Sequence, residues 1–296
     1  MGQAERRGCR PISMSRLQCR MLCLVALVLW GPGCFELPGE PPQLGRHAYS
    51  NAPSAEPCPL GERRGPGGMS DDEQTEHGIK YTVRTPANYN PRILHPLLMV
   101  YAPAGSSRFR SERLTGLTFA ATAAGFVVAY ADSRRLSLAV IPELGTISRL
   151  IAKKWCVDER RVYLTGHSDG GTVALALALL AETRHIPTAV APSAAGFRRT
   201  DLETFPCPET LSALIMHSAN DHLFPGYGAE TASWLAACNK CRAGSVEEDE
   251  NGCVSYSGCR ANSKTIYCEG TDAHRQWPAL NTALLSFFVD IDRSLH

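Results

Sequence analysis

From residue 97 onward the chain repeats one pattern: a short, continuously apolar run, then a longer stretch with apolar positions at helical spacing. The runs lie at 97–101, 126–130, 161–165, 188–191 and 213–216, and the helical stretches at 112–124, 141–155, 171–181 and 228–237. Strands that are apolar on both faces and alternate with helices form a parallel sheet covered on both sides. The pattern therefore predicts an α/β domain with a doubly wound, mostly parallel sheet. Residues 79–84 alternate with period two, as in a half-exposed strand, and place the start of this domain near Gly78.

The rhythm breaks between Cys238 and Cys268, a polar stretch with an acidic run at Glu247-Glu248-Asp249-Glu250. It reads as a disulfide-rich excursion before a last short strand at 265–268, after which 278–291 is amphipathic and helical. Upstream, residues 35–76 are rich in Pro and Gly and read as a tether, leaving 77–296 as the folded domain.

The first 34 residues differ again. Arg6, Arg7, Arg10, Arg16 and Arg20 precede an apolar run from Met21 to Trp30, which is too short to span a bilayer and suits a secretory signal. A start at Met14 gives that leader a more usual length. Gly31-Pro32-Gly33-Cys34 follows at once and resembles a bacterial lipobox, with Gly31 in place of the usual aliphatic residue. Lipid attachment at Cys34, tethering the chain to a membrane, and plain cleavage nearby are the two readings. Either places the protein outside the cytoplasm, secreted or in the outer cell envelope.

Composition narrows the function classes. At 296 residues and 44% apolar the chain can bury a large core. Thirty Lys and Arg against 29 Asp and Glu are too balanced for a polyanion partner, so nucleic acid binding has no support. Of twelve cysteines, eight lie beyond Cys34: Cys58, Cys156, Cys207, Cys238, Cys241, Cys253, Cys259 and Cys268. An even number in an exported chain reads as a disulfide set, and about 105 pairings are open. Zinc at Cys238-Asn-Lys-Cys241 is the weaker reading, since Cys253 and Cys259 do not make a second close pair.

The chemistry centres on Gly166-His167-Ser168-Asp169-Gly170-Gly171, a G-x-S-x-G motif that follows an apolar strand and opens a small-residue helix. That context makes the motif a nucleophile elbow, with Ser168 projecting from the turn and the helix N-terminus favouring developing negative charge. A serine hydroxyl needs a base, and the base an orienting acid, in the chain order Ser, acid, His. Asp221 follows the 213–216 strand and His274 follows the 265–268 strand, so they are the expected acid and base. Asp272 lies too close to His274, and Asp201 lacks a preceding strand. His217 and His167 are expected to support the geometry. The mechanism requires no cofactor.

Residues 126–132, Arg161-Val162-Tyr163, Ile215-Met216-His217-Ser218-Ala219-Asn220-Asp221 and His274-Arg275-Gln276-Trp277-Pro278 carry a family likeness. Over roughly residues 78 to 290 the chain resembles the secreted poly(3-hydroxybutyrate) depolymerase and feruloyl esterase group of α/β-hydrolases. The resemblance implies the α/β-hydrolase fold, an ester substrate (a small molecule, a polyester or a plant cell-wall ester) and substrate contact by Trp277. Two departures stand out. Where the family has His-Gly for its oxyanion hole, this chain has Ala102-Pro103-Ala104-Gly105; proline has no amide hydrogen, so Ala104 must supply the donor, paired with the amide of Asp169. There is also one extra residue between His274 and Trp277.

The leading expectation is thus a serine esterase. Against it stand a peptidase of prolyl-oligopeptidase type, which would bring a propeller-sized N-terminal region, and a non-catalytic lipoprotein that uses the fold to bind a ligand.

Overall fold

The structure is a computed structural model that describes residues 57–58, 63–243, 246–249 and 251–294. The leader, with Cys34, and most of the tether lie outside the described residues. The described strands are β1 (Met69–Gln74), β2 (Lys80–Arg84), β3 (His95–Tyr101), β4 (Val127–Ala131), β5 (Val157–His167), β6 (Ala189–Ser193), β7 (Ser212–Ser218), β8 (Val246–Glu248), β9 (Cys253–Tyr256) and β10 (Thr265–Gly270). They form one sheet in the order β1-β2-β4-β3-β5-β6-β7-β10-β9-β8. The six strands from β4 to β10 in that order pair in parallel, while β1 and β2 on one side and β9 and β8 on the other are antiparallel additions.

Alternation within the apolar runs explains why both faces are covered. Leu97, Met99 and Tyr101 of β3 join one buried cluster, while Leu98 and Val100 join the other. The first cluster is sealed by α3 (Val140–Lys154), α4 (Asp169–Leu179) and α6 (Tyr227–Cys238). The second is sealed by α2 (Thr118–Ala123) and α7 (Asn281–Ser294). Two further helices, α1 (Arg108–Thr115) and α5 (Arg199–Leu202), lie among the loops. The helix expected over 112–124 is two helices, because Gly116 takes a left-handed φ of 59° and its amide closes α1 onto the Glu112 carbonyl.

The folded domain starts earlier than the expected boundary near Gly78. Part of the stretch read as tether is β1, a polar edge strand with no apolar alternation to reveal it. Further back, Gly65 sits against the indole of Trp155 and Cys58 is bonded to Cys156. All eight cysteines beyond Cys34 are paired: Cys58–Cys156, Cys207–Cys238, Cys241–Cys259 and Cys253–Cys268. The Cys238-x-x-Cys241 pair is split between two bridges, which removes the zinc reading. Three bridges staple the excursion, where β9 returns antiparallel to β10 and carries β8 at the edge. Four disulfides suit an oxidising compartment. Among the described residues no helix is long and apolar enough to cross a membrane.

Candidate active site

The loops after the carboxyl ends of β3, β5, β7 and β10 converge at one end of the sheet, and the candidate site residues in the folded domain lie on them or, for Asp169, at the start of the helix that follows β5. Parallel α/β sheets place their sites there because successive crossovers leave a crevice at that edge. At its centre Ser168 joins β5 to α4 with φ 55° and ψ −119°, a conformation non-glycine residues adopt only when the surroundings enforce it. Its neighbours supply that enforcement. A Cβ on Gly170 would stand 2.0 Å from the Tyr101 carbonyl oxygen, and one on Gly166 would stand 2.5 Å from the Gly170 carbonyl carbon. The glycines are what let the elbow press this close to β3.

Asp221 is 1% exposed and its two oxygens have separate tasks. Oδ1 accepts from the amides of Leu223 and Phe224, both at 2.9 Å, which fixes the turn. Oδ2 accepts from His274 Nδ1 at 2.7 Å. Burial alone would push the carboxyl pKa up, but the bonds from His274, Phe224 and Leu223 outweigh it and hold Asp221 below the ordinary carboxylate range. An ionised Asp221 puts the imidazole proton on Nδ1 and leaves the lone pair on Nε2, which stands 2.9 Å from Ser168 Oγ. The Phe224 ring packs edge-on against His274, with centroids 5.0 Å apart.

Both other histidines brace this arrangement. His167 Nδ1 meets Ser193 Oγ at 2.9 Å, and Nε2 donates at 2.5 Å to the backbone carbonyl of His274. Burial pushes its pKa down to about 4, so the ring is neutral at ordinary pH. His217 Nε2 donates to the Phe224 carbonyl at 2.8 Å and lies 3.6 Å from Asp221 Oδ2. Asp221 thereby has an imidazole on each of two sides.

A cavity of about 440 Å³ opens over Ser168 and His274. Its floor includes His167, and its wall includes Ala104 and the exposed Leu223. Residues 103–106 form a tight turn in which the Ser106 amide donates to the Pro103 carbonyl at 3.0 Å and Gly105 has φ 64°. Left-handed glycine at the third position makes this turn type II, with Ala104 at the second. Asp169 is the first residue of α4, so its amide has no carbonyl one turn earlier to bond. Burial raises the pKa of the Asp169 side chain.

Trp277, the residue expected to contact substrate, is not among the residues that line this cavity. Its Nε1 donates to Asn281 at 2.7 Å and its ring stands edge-on to His167, which ties the His274 loop to α7 and to the elbow. The extra residue before it accompanies a closed turn in which Gln276 Oε1 and amide both bond to Ala273. Sequence reasoning did not single out Leu223, Phe224, Ser193 or the cavity arginines; for the first two, their places after an aspartate were a usable sign, since such a side chain caps the amides two and three residues on. Among the described residues no group of three or more His, Cys, Asp or Glu could hold a metal ion.

No protein-family model matches this chain, and no curated protein sequence matches it either. Solved structures do. Acetyl xylan esterase from Aspergillus awamori superposes with TM-score 0.56 at 13% identity, covering 75% of this chain and 99% of that one. A fungal esterase from Rhizomucor miehei gives 0.56 at 12% identity, over 79% of this chain and 87% of the other. S-formylglutathione hydrolase from Staphylococcus aureus gives 0.52 at 13% identity, over 76% and 99%. At these identities the likeness speaks to the fold.

Proposed function

We propose that this chain, an α/β-hydrolase by fold, is a serine esterase that hydrolyses carboxylic esters through an acyl-enzyme on Ser168. The observation that carries the reading is the unbroken chain of hydrogen bonds from Ser168 Oγ through His274 to Asp221. As Oγ attacks the ester carbonyl carbon, its proton passes to Nε2 of His274, and Asp221 stabilises the imidazolium. The carbonyl oxygen, now an oxyanion, is received by the amides of Ala104 and Asp169. When the tetrahedral adduct collapses, the ester's carbon–oxygen bond breaks and the alcohol leaves with the proton from His274. Water then repeats the sequence on the acyl-enzyme, releasing the acid and restoring Ser168. No step calls on a cofactor.

We place the substrates with the poly(3-hydroxybutyrate) depolymerase and feruloyl esterase group, on the sequence likeness around the elbow, the Asp221 loop and His274. Export is supported by the basic-then-apolar leader and by the four disulfides. Lipid attachment at Cys34 belongs to the same proposal and rests on Gly31-Pro32-Gly33-Cys34. The test is hydrolysis of p-nitrophenyl acetate and butyrate, with Ser168→Ala alongside. Turnover that disappears in the variant supports the esterase; full turnover in Ser168→Ala rejects the assignment, and none in either protein favours a ligand-binding relative.

A further inference from the structure

Two arginines stand at the same cavity as Ser168, and they differ from the arginines that are locked into the fold. Arg84 is buried between Asp71 and Glu112, Arg108 is held by Asp132, and Arg161 by Asp292. Each is neutralised and fixed within the fold. Arg110 on α1 and Arg275 on the His274 loop are exposed, and neither guanidinium has a hydrogen-bond or ion-pair partner among the described residues. Both line the cavity over Ser168, reaching it from separate elements.

The remaining lining sharpens the contrast. No Asp or Glu is among the lining residues, so nothing in the wall offsets the two positive charges. Leu114 and Leu223 give it apolar surface. Asp221, the one acid of the triad, is buried and already bonded to His274. A wall with apolar patches, two free guanidinium forks and no acid complements a ligand with an apolar body and an anionic end, and arginine binds carboxylates well because its planar donors match both oxygens.

We propose that the cavity selects esters bearing an anionic group, with Arg110 and Arg275 as the specificity-determining residues; this rests on the esterase reading above. The anion sits on the acyl or the alcohol portion while the scissile carbonyl lies at Ser168. A charge-assisted hydrogen bond of this kind gives about a tenfold preference or more in kcat/KM, and it weakens as salt screens the exposed guanidiniums.

The experiment compares two matched ester pairs on the full chain. Mono-p-nitrophenyl adipate against p-nitrophenyl hexanoate puts the charge on the acyl side; p-acetoxybenzoate against p-acetoxybenzamide puts it on the alcohol side. The expected result is a kcat/KM ratio of about ten favouring the anionic member of at least one pair, reduced by salt and brought to about one in Arg110→Gln/Arg275→Gln. Equal or faster hydrolysis of the neutral member in both pairs overturns the proposal, as does a preference that survives the double substitution. If no ester is turned over, it is the esterase reading that fails. Calorimetric titration of Ser168→Ala with both p-acetoxy compounds then decides the selectivity: tighter binding of the anion supports it, and equal binding rejects it.

Discussion

The backbone carbonyl of His274 accepts a 2.5 Å hydrogen bond from Nε2 of His167, the residue immediately before Ser168. His167 and His274 lie 107 positions apart in the chain, yet the buried imidazole of one ties the two loops together. His167 bonds to neither the Ser168 hydroxyl nor the His274 ring; it sets where the His274 loop stands relative to Ser168.

Removing that donor should therefore slow the chemistry more than it weakens binding. His167→Leu is expected to lower kcat by about 10²-fold, the scale of a misplacement of about 1 Å, with KM little changed. His167→Gln, which can still present an amide to the carbonyl, should recover part of the loss. A rise in KM at constant kcat, or equal rates for Leu and Gln, contradicts the positioning role.

The same residue makes stability depend on pH. Burial holds His167 at about 4 and also lowers the pKa of His95, whereas unfolded histidine titrates near about 6.5. Between these values the unfolded chain binds more protons, so stability must fall as pH drops from about 6.5 to about 4. The His167 share is on the order of 3 kcal/mol. Asp221, whose pKa is depressed, acts in the same direction but only at lower pH, as its carboxylate becomes protonated. Urea midpoints at about pH 7 and about pH 4.5 should differ clearly for the wild type and less for His167→Gln; identical losses in the two proteins remove His167 from this account.

The turn at residues 103–106 offers a clean test of the oxyanion donor. Proline is favoured at the second position of a type II turn, so Ala104→Pro should preserve the backbone while deleting only the amide hydrogen. The expected outcome is a kcat reduced by about 10²–10³-fold with an unaltered melting temperature. Retained activity would mean the oxyanion is held elsewhere.

Cys253–Cys268 joins β9 to β10, the strand that leads into the His274 loop. For cysteines 15 positions apart, removing the bridge should lower stability by about 3 kcal/mol. Differential scanning calorimetry of Cys253→Ala/Cys268→Ala measures it; a melting temperature equal to the wild type shows that strand pairing alone holds the excursion.

How much of this was legible in the sequence follows from what each feature depends on. The parallel strands show because burial on both faces makes them continuous apolar runs, and the order of Ser168, Asp221 and His274 follows from the elbow and the strands before each loop. β1 reads Met-Ser-Asp-Asp-Glu-Gln and β8 Val-Glu-Glu, polar edge strands whose only signature is the neighbour they pair with. Disulfide pairing depends on which loops meet in space, and so does the contact of His167 with His274. The bond of Trp277 to Asn281 and its ring contact with His167 depend likewise on how the turn at Ala273–Gln276 folds.

The His274 loop is gripped from within, by Asp221 on the imidazole and His167 on the carbonyl, while the adjacent Arg275 side chain stays in solvent. Its outer surface is therefore open to revision. A descendant, natural or engineered, can exchange Arg275 for another side chain while the hydrogen bonds linking Ser168, His274 and Asp221 beneath it stay where they are.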